Sequence, residues 1–488
     1  MFVIHQMNTA LSPRDECPPG DCDCTTTSDC EPPPSPPQSP SEHTYLSVSK
    51  YKTAPGLIVS RLTDNHYVIA NPRQLPSVVV LSTKSYEVLS KFSTPIELHE
   101  FTGIEQSEIS LLVDAKLVVP ITDANYQPDA RYDRKMLVSW LHTTNACSFG
   151  CKYCYIKKSS EKMTFEIGRK SIDLIFQEAL KNGFDGVKIK YAGGEASLNI
   201  GLIIKLHELA KQKAAECGVL LEEVLMTGGI ISDAVREQVA CLGARVMVSL
   251  DSLDEYHEIQ RPLANGSPSG SITRDTLEYM KTHNVDVCVS ITITKQDSEA
   301  LIELIDYLID LEIPFSLSYA RDNDYFVDKE NFQPVNKHLI ETMKDVFDHL
   351  CENPPRHSML GSLTDRANLS GPHEYTCAVG QNYLVIDHRG QISMCQQDMQ
   401  TPVTTIYDTD PLLKVINNNL GVKNVSVDEK EGCRVCKWRN WCTGGCATLT
   451  TQVYGRADVQ SPFCDVYKAI LPEAVRLEGL RLLKFHTS

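Results

Sequence analysis

Apolar and polar positions follow two rhythms along this chain, and the change of rhythm divides it. From about residue 55 the runs GLIVSRLT, HYVIANP and PSVVVLS have the alternation or β-branched content of strands. TKSYEVLSKF, PIELHEFTG and EQSEISLLVDAKLV follow with helical spacing. The pattern predicts a small α+β module, three strands and then three helices, over 44–125. From 135 to 345 strand and helix alternate, with strands predicted at 136–144, 186–193, 221–228, 244–251, 286–294 and 314–320. Amphipathic stretches such as FEIGRKSIDLIFQEALKNG separate them. Six such units predict an α/β fold with a partial (β/α)6 barrel at its core. In such barrels the chemistry sits on loops at the carboxyl ends of the strands.

Residues 1–43 lack either rhythm. They hold the run PPPSPPQSP, seven acids against one Arg, and few large apolar residues after Ile4, which predicts a disordered, acidic, Pro/Cys-rich arm. Its Cys17, Cys22, Cys24 and Cys30 suit either a loose metal site or solvent-exposed thiols.

The whole chain has 47 basic and 63 acidic side chains, a net charge of −16 and a pI near 5.4. That balance argues against nucleic acid as the main partner, because such partners need clustered Lys and Arg. No run approaches the roughly 18 apolar residues of a spanning helix, and the first residues do not read as an export signal. A cytoplasmic protein without a membrane partner is expected. Its 18 cysteines bunch at short spacings in a long chain, so metal or cluster ligation leads over a disulfide framework.

Directly after the strand at 136–144 comes NACSFGCKYCYIKK, which sets Cys147, Cys151 and Cys154 in one loop. Three thiolates can hold an iron–sulfur cluster and leave one iron open to a small molecule. This loop, with Tyr153 before the third Cys, resembles that of radical S-adenosylmethionine (radical SAM) enzymes. The resemblance implies a [4Fe–4S] cluster whose open iron binds the amino and carboxylate groups of S-adenosylmethionine. Reductive cleavage then yields a 5′-deoxyadenosyl radical that takes hydrogen from a substrate. The catalytic cysteines implied are Cys147, Cys151 and Cys154. YAGGEA places Gly193, Gly194 and Glu195 where the family's GGE segment meets the cofactor's amino group, with Ala196 in place of the frequent Pro. MTGG at 226–229 stands where many relatives have Thr-Asn-Gly. Ser249 and Arg261 fall where relatives contact the ribose or the methionine carboxylate, although a lone Ser and Arg at a barrel mouth are as often structural.

Farther on, Cys377 and Cys395 bracket Gly390, CRVCKWRNWCTGGC supplies Cys433, Cys436, Cys442 and Cys446, and PFC adds Cys464. Zinc fits poorly, since only one C-x2-C pair is present. The array resembles the SPASM domain that carries auxiliary clusters, here over 370–470 with a C-terminal helix at 471–488. The resemblance implies one auxiliary cluster on Cys433, Cys436, Cys442 and Cys464. It implies another on Cys377, Cys395 and Cys446, whose fourth ligand has no cysteine to match. Three [4Fe–4S] clusters are therefore expected, and Cys217, Cys241, Cys288 and Cys351 are left as small core residues.

The module over 44–125 resembles the winged-helix-like element that binds leader peptides in maturases of ribosomally made peptides. A leader is then expected to add as a strand at Val78, Val79 and Val80. Together these features predict a maturase that crosslinks a ribosomally synthesised precursor peptide through a thioether, C–C or C–O bond, reduced by a donor such as flavodoxin or ferredoxin. A sulfatase-maturase-like formylglycine activity is weaker, because its base would follow Cys395, where Gln396 stands, with Asp398 two positions on. Peptide epimerisation or backbone excision stays open, and a non-catalytic iron–sulfur scaffold is the remote alternative.

Overall fold

The computed structural model describes residues 3–5, 50–98, 101, 104–121, 136–418 and 420–486. Cys17, Cys22, Cys24 and Cys30 lie outside them, so the expected arm is described only at its strand β1 (Val3–His5). That strand departs from the expected disorder, for it pairs with the amino-terminal sheet.

The amino-terminal module contains β2 (Tyr51–Thr53), β3 (Ile58–Thr63), β4 (His66–Ala70), β5 (Val78–Ser82), α1 (Thr83–Lys91), α2 (Ile104–Asp114) and β6 (Val118–Pro120). The three predicted strands form, and Ser82 caps α1 by accepting from the Ser85 amide. Of the helix predicted over PIELHEFTG, residues 95–98 and 101 are described: Ile96 bridges to Tyr51, and Leu98 opens a 3-10 turn whose carbonyl accepts from the Phe101 amide. The last predicted helix stops at Asp114, and its tail becomes β6, paired with β2. Alternation along β5 divides its side chains between two cores. Val78 and Val80 join the main core, whereas Val79 and Leu81 pack with Leu89, Phe92 and Leu112 inside the module.

The central domain contains β7 (Met136–His142), α3 (Phe165–Lys181), β8 (Gly186–Ala192), α4 (Ile200–Cys217), β9 (Leu220–Thr227), α5 (Asp233–Ala240) and β10 (Arg245–Ser249). It continues with α6 (Glu255–Gln260), α7 (Gly270–Thr282), β11 (Val287–Ile293), α8 (Ser298–Asp310), β12 (Phe315–Tyr319), α9 (Lys329–Phe332) and α10 (Asn336–Glu352). Its six strands run parallel in the order β12-β11-β10-β9-β8-β7. Each lies within two residues of its predicted position, with β7, β8 and β12 buried along their whole length and β9 only toward its carboxyl end.

The last part holds β13 (Tyr383–Ile386), β14 (Gln391–Ser393), β15 (Pro402–Thr405), α11 (Pro411–Ile416), α12 (Arg439–Cys442), α13 (Ala447–Tyr454) and α14 (Cys464–His486). These strands extend the central sheet: β13 adds parallel to β7, and β14 and β15 follow antiparallel. The β13–β14 turn thereby lies at the same end as the carboxyl terminus of β7, and β14 runs back from it toward Cys395. The carboxyl-terminal helix begins at Cys464 rather than at 471, so a proposed cluster ligand opens it. A buried network fastens it to the barrel. Asp365 accepts from Arg321, from the Tyr319 amide beyond β12's core, and from the Tyr467 hydroxyl of α14 at 2.6 Å.

Candidate active site and cysteine centres

The loops that follow the parallel strands converge at one end of the sheet. The loop after β7 holds Cys147, Cys151 and Cys154, and it is tied down from both sides. From β8's end, the Gly194 and Glu195 amides donate to Thr144 O and Ala146 O at 2.7 and 2.8 Å. From α6's end, the Gly150 and Lys152 amides donate to Pro262 O and Gln260 O. The glycines of the GGE segment are explained by this contact. A Cβ on Gly193 would stand 2.6 Å from Thr144 O, and one on Gly194 2.5 Å from Ala146 O.

The Glu195 carboxylate accepts four bonds: from the Ser197 amide and hydroxyl, from Thr227 Oγ1 at 2.8 Å and from the Gly228 amide at 2.9 Å. It thus joins the ends of β8 and β9 beside Cys147, while burial pushes its own carboxyl up from the ordinary range. The atypical Thr227–Gly228 turn supplies two of those donors.

At the other side of the loop, Asp251 is fully buried. It accepts from Tyr153 Oη at 2.7 Å, from Gln260 Nε2 and Arg261 Nε at 2.5 Å, and from the Thr292 amide at 2.8 Å. Arg261 lies over the Tyr153 ring and points Nη1 at Cys151 Sγ, 3.8 Å away. The structure therefore brings Arg261 and Tyr153 to the cysteine loop. Ser249 closes β10 beside Ser290 of β11, and no hydrogen bond described joins it to this group. Sequence reasoning missed Asp251, although VSLDS contains it, and also Lys158, whose Nζ donates to Phe149 O. Arg261 and Lys158 are the cations nearest the thiols. Burial pushes the Cys147 thiol up to about 12 and raises Cys151, while Lys158 and Arg261 act in the opposite direction.

That donor set suits an iron–sulfur cluster. Partly buried thiols beside fixed cations are costly as free thiolates but well disposed to lose protons to bound iron. Among the described residues no three His, Cys, Asp or Glu side chains converge tightly enough for a metal ion. A cluster spreads its thiolates more widely than a single ion does.

Residues 141–308 match the Radical SAM superfamily. The chain carries a radical SAM domain. An uncharacterized protein of Methanocaldococcus jannaschii is 28% identical over 204 residues, covering 41% of this chain and 68% of its own. The radical SAM cyclopropyl synthase TigE of Paramaledivibacter caminithermalis is 20% identical over 419 residues, covering 78% and 85%. Among solved structures, native anSMEcpe with bound AdoMet and Kp18Cys peptide superposes with a TM-score of 0.58 at 19% identity, over 71% of this chain and 99% of that one. That likeness extends the shared fold beyond the radical SAM domain into the carboxyl-terminal cysteine region.

In that region Cys433, Cys436, Cys442 and Cys464 line one small pocket of about 20 Å³ with Trp438 and Tyr467. Burial pushes Cys433 up to about 11 and Cys442 up to about 12. Cys446 stands at the amino terminus of α13, and Thr448 Oγ1 from the same helix reaches Cys395 Sγ at 3.6 Å. Asn424 Nδ2 holds Cys377 through its carbonyl at 2.6 Å and its sulfur at 3.8 Å.

A larger, solvent-open chamber of about 330 Å³ separates the first cysteine loop from the β13–β14 hairpin. Tyr155, Lys157, Glu161, His142, His388 and Gln396 are among its walls. Gln396 accepts from Tyr383 Oη at 2.9 Å. Asp398 does not line the chamber and is bonded to Thr401. His388 lies 3.5 Å from a Glu161 oxygen, yet neither of its ring nitrogens makes a hydrogen bond.

The sequence predicts a leader strand at Val78, Val79 and Val80. All three side chains are buried, and β5 has a neighbour on each edge, β4 on one and β1 on the other. The apolar alternation signalled a strand correctly, but a pairing partner more than seventy residues earlier left no local trace. Among the described residues no helix is long and apolar enough to cross a membrane.

Proposed function

We propose that this radical SAM protein matures a ribosomally made precursor peptide, generating a carbon-centred radical on it and converting that radical into a new covalent bond. The observation that carries this reading is the open polar chamber between the cysteine loop and the β13–β14 hairpin, wide enough to admit a peptide segment. Cys147, Cys151 and Cys154 would hold the cluster that binds S-adenosylmethionine. Cys433, Cys436, Cys442 and Cys464 would hold one auxiliary [4Fe–4S] cluster, and Cys377, Cys395 and Cys446 another. When bound, these groups supply the reductive cleavage and an acceptor for the electron released on bond formation, with flavodoxin or ferredoxin as the class of donor.

The chain's own residues supply the rest. Gly193 and Gly194 let β8 approach the loop, and Glu195 with Thr227 and Gly228 fixes the strand ends that would face the cofactor. Asp251 orients Tyr153 and Arg261 at the loop's other side. His142 and His388 both line the chamber with an unpaired ring nitrogen, and we assign to His388, which stands beside Glu161, the proton that leaves the peptide as the new bond forms. A formylglycine-forming role is disfavoured, because Gln396 takes the position of the base and Asp398 faces away from the chamber.

Two products fit. A crosslink is one; the other is a cyclopropane within a single residue, favoured by the resemblance over most of the chain to a protein named a cyclopropyl synthase. Both remove two hydrogen atoms from the peptide. Anaerobic reconstitution with S-adenosylmethionine, a reductant and the peptide encoded beside this gene should give 5′-deoxyadenosine and a peptide lighter by two hydrogens. An aldehyde captured by a hydrazide instead would establish the formylglycine reading and overturn this one.

The amino-terminal module is the proposed leader-binding element. A leader pairing with β5 must first displace β1, so the chain's own Val3–His5 occupies the edge that a leader strand would take.

A further inference from the structure

Lys430 is an unusual residue in the carboxyl-terminal domain. Its side chain is buried to within 1% of complete exclusion from solvent. Its ammonium donates to Thr443 O at 2.8 Å, and among the described residues no carboxylate forms an ion pair with it. An ammonium taken out of water without a counter-charge costs several kcal/mol even after relaxation, on the order of what one domain has to spare. Lysine is therefore a poor choice at this position unless an anion is present in the working protein.

The neighbours identify that anion. Cys433, Cys442, Cys377 and Cys446 all lie within electrostatic reach of Lys430, two from each proposed auxiliary set. The turn Thr443–Gly444–Gly445 makes the approach possible. Gly444 has φ +79°, and a Cβ there would stand 2.7 Å from Lys430 Cδ, 3.1 Å from Nζ and 3.2 Å from Cys433 Sγ. A side chain at 444 would push the ammonium away from the sulfur. The glycine thus serves two ends, the left-handed backbone and the close passage of a cation beside a thiolate.

We propose that Lys430 is a counter-ion shared by the two auxiliary cluster sites and that it raises the reduction potential of both. It is a positioning residue, touching neither substrate nor S-adenosylmethionine. A cluster held by thiolates is a net anion that gains further negative charge on reduction, so a fixed cation beside it favours the reduced form. One ammonium between two such centres couples them, since reduction of either strengthens its hold on the cation and lessens what the other receives. The inference rests on the assignment of clusters to these seven cysteines.

Lys430→Gln keeps a donor for Thr443 O while removing the charge, and Lys430→Met keeps length alone. Both are to be made in the full chain, reconstituted anaerobically and titrated electrochemically with paramagnetic resonance detection, with iron and sulfide measured in parallel. The expected result is full auxiliary iron in the Gln variant and a fall of the auxiliary potentials by about tenfold in the reduction equilibrium, or about 59 mV for a one-electron couple. The signal of the cluster on Cys147, Cys151 and Cys154 stays where it was and serves as the reference. Loss of auxiliary iron from both variants, with the first loop's iron retained, would likewise support a counter-ion required for assembly. Unmoved auxiliary potentials in an iron-replete Gln variant would overturn the proposal. Wild-type protein without auxiliary iron would instead refute the cluster assignment.

Discussion

At the scale of single residues, the radical SAM site depends on contacts that leave no room for a methyl group. Gly194→Ala would set a Cβ 2.5 Å from Ala146 O and 2.8 Å from Asn145 O, both backbone atoms of the cysteine loop. Relief by backbone shift costs about 1–3 kcal/mol in packed surroundings. The variant is expected to lose most iron from the first loop and at least tenfold in 5′-deoxyadenosine formation, read by iron assay and chromatography, while auxiliary iron stays. His388 tests a different step. General acid–base groups contribute about 100-fold or more, so His388→Gln should lower the ratio of modified peptide to 5′-deoxyadenosine by about that factor. An unchanged ratio would remove His388 from the proton path. Asp251 shows what residue reading misses. Its role arises from four donors brought together by the cysteine loop, the end of α6 and β11, and nothing in VSLDS distinguishes it from a strand-terminal turn residue.

Elements were legible in proportion to how local their causes are. The six parallel strands could be located within two residues because β-branched and other apolar residues recur along each, even where Lys188, Lys190, Glu222 and Glu223 interrupt the run. The cysteine loop and the GGE segment were readable for the same reason, being set by spacing along the chain. PIELHEFTG is less legible at its start, where the apolar spacing suggests a helix while Ile96 is captured by a bridge to Tyr51. The partners of β5 and β7 were also hidden. Val3–His5 and Tyr383–Ile386 lie far away in sequence, and each pairs through backbone groups that carry no residue signature. The occupied edge of β5 makes its own prediction. Removing residues 1–5 frees that edge, so a fluorescent leader peptide should bind the shortened chain more tightly than the full one. Equal affinity would place leader recognition elsewhere.

For the whole molecule, continuity of the sheet is the organising fact. β13 to β15 extend the strands of the central sheet, so one continuous sheet joins the two cysteine regions, and the chamber is walled by residues that follow the first loop and by those of the β13–β14 hairpin and the stretch after it. Stability should respond to pH through buried imidazoles. His142 and His257 are fully buried, and burial lowers each from 6.5 to about 4. The unfolded chain therefore binds protons between pH 6.5 and 4 that the folded chain refuses. This stability is complete above 6.5 and declines as pH falls through that window, by about 1.4 kcal/mol per pH unit for each imidazole. Urea midpoints measured across the window should fall accordingly. The central claim, radical chemistry on a peptide in this chamber, is tested most directly by supplying the neighbouring-frame peptide with deuterium on its carbons. Deuterium recovered in 5′-deoxyadenosine, with a peptide that has lost two hydrogens, is the predicted result. Abundant 5′-deoxyadenosine free of deuterium beside an unaltered peptide would contradict it.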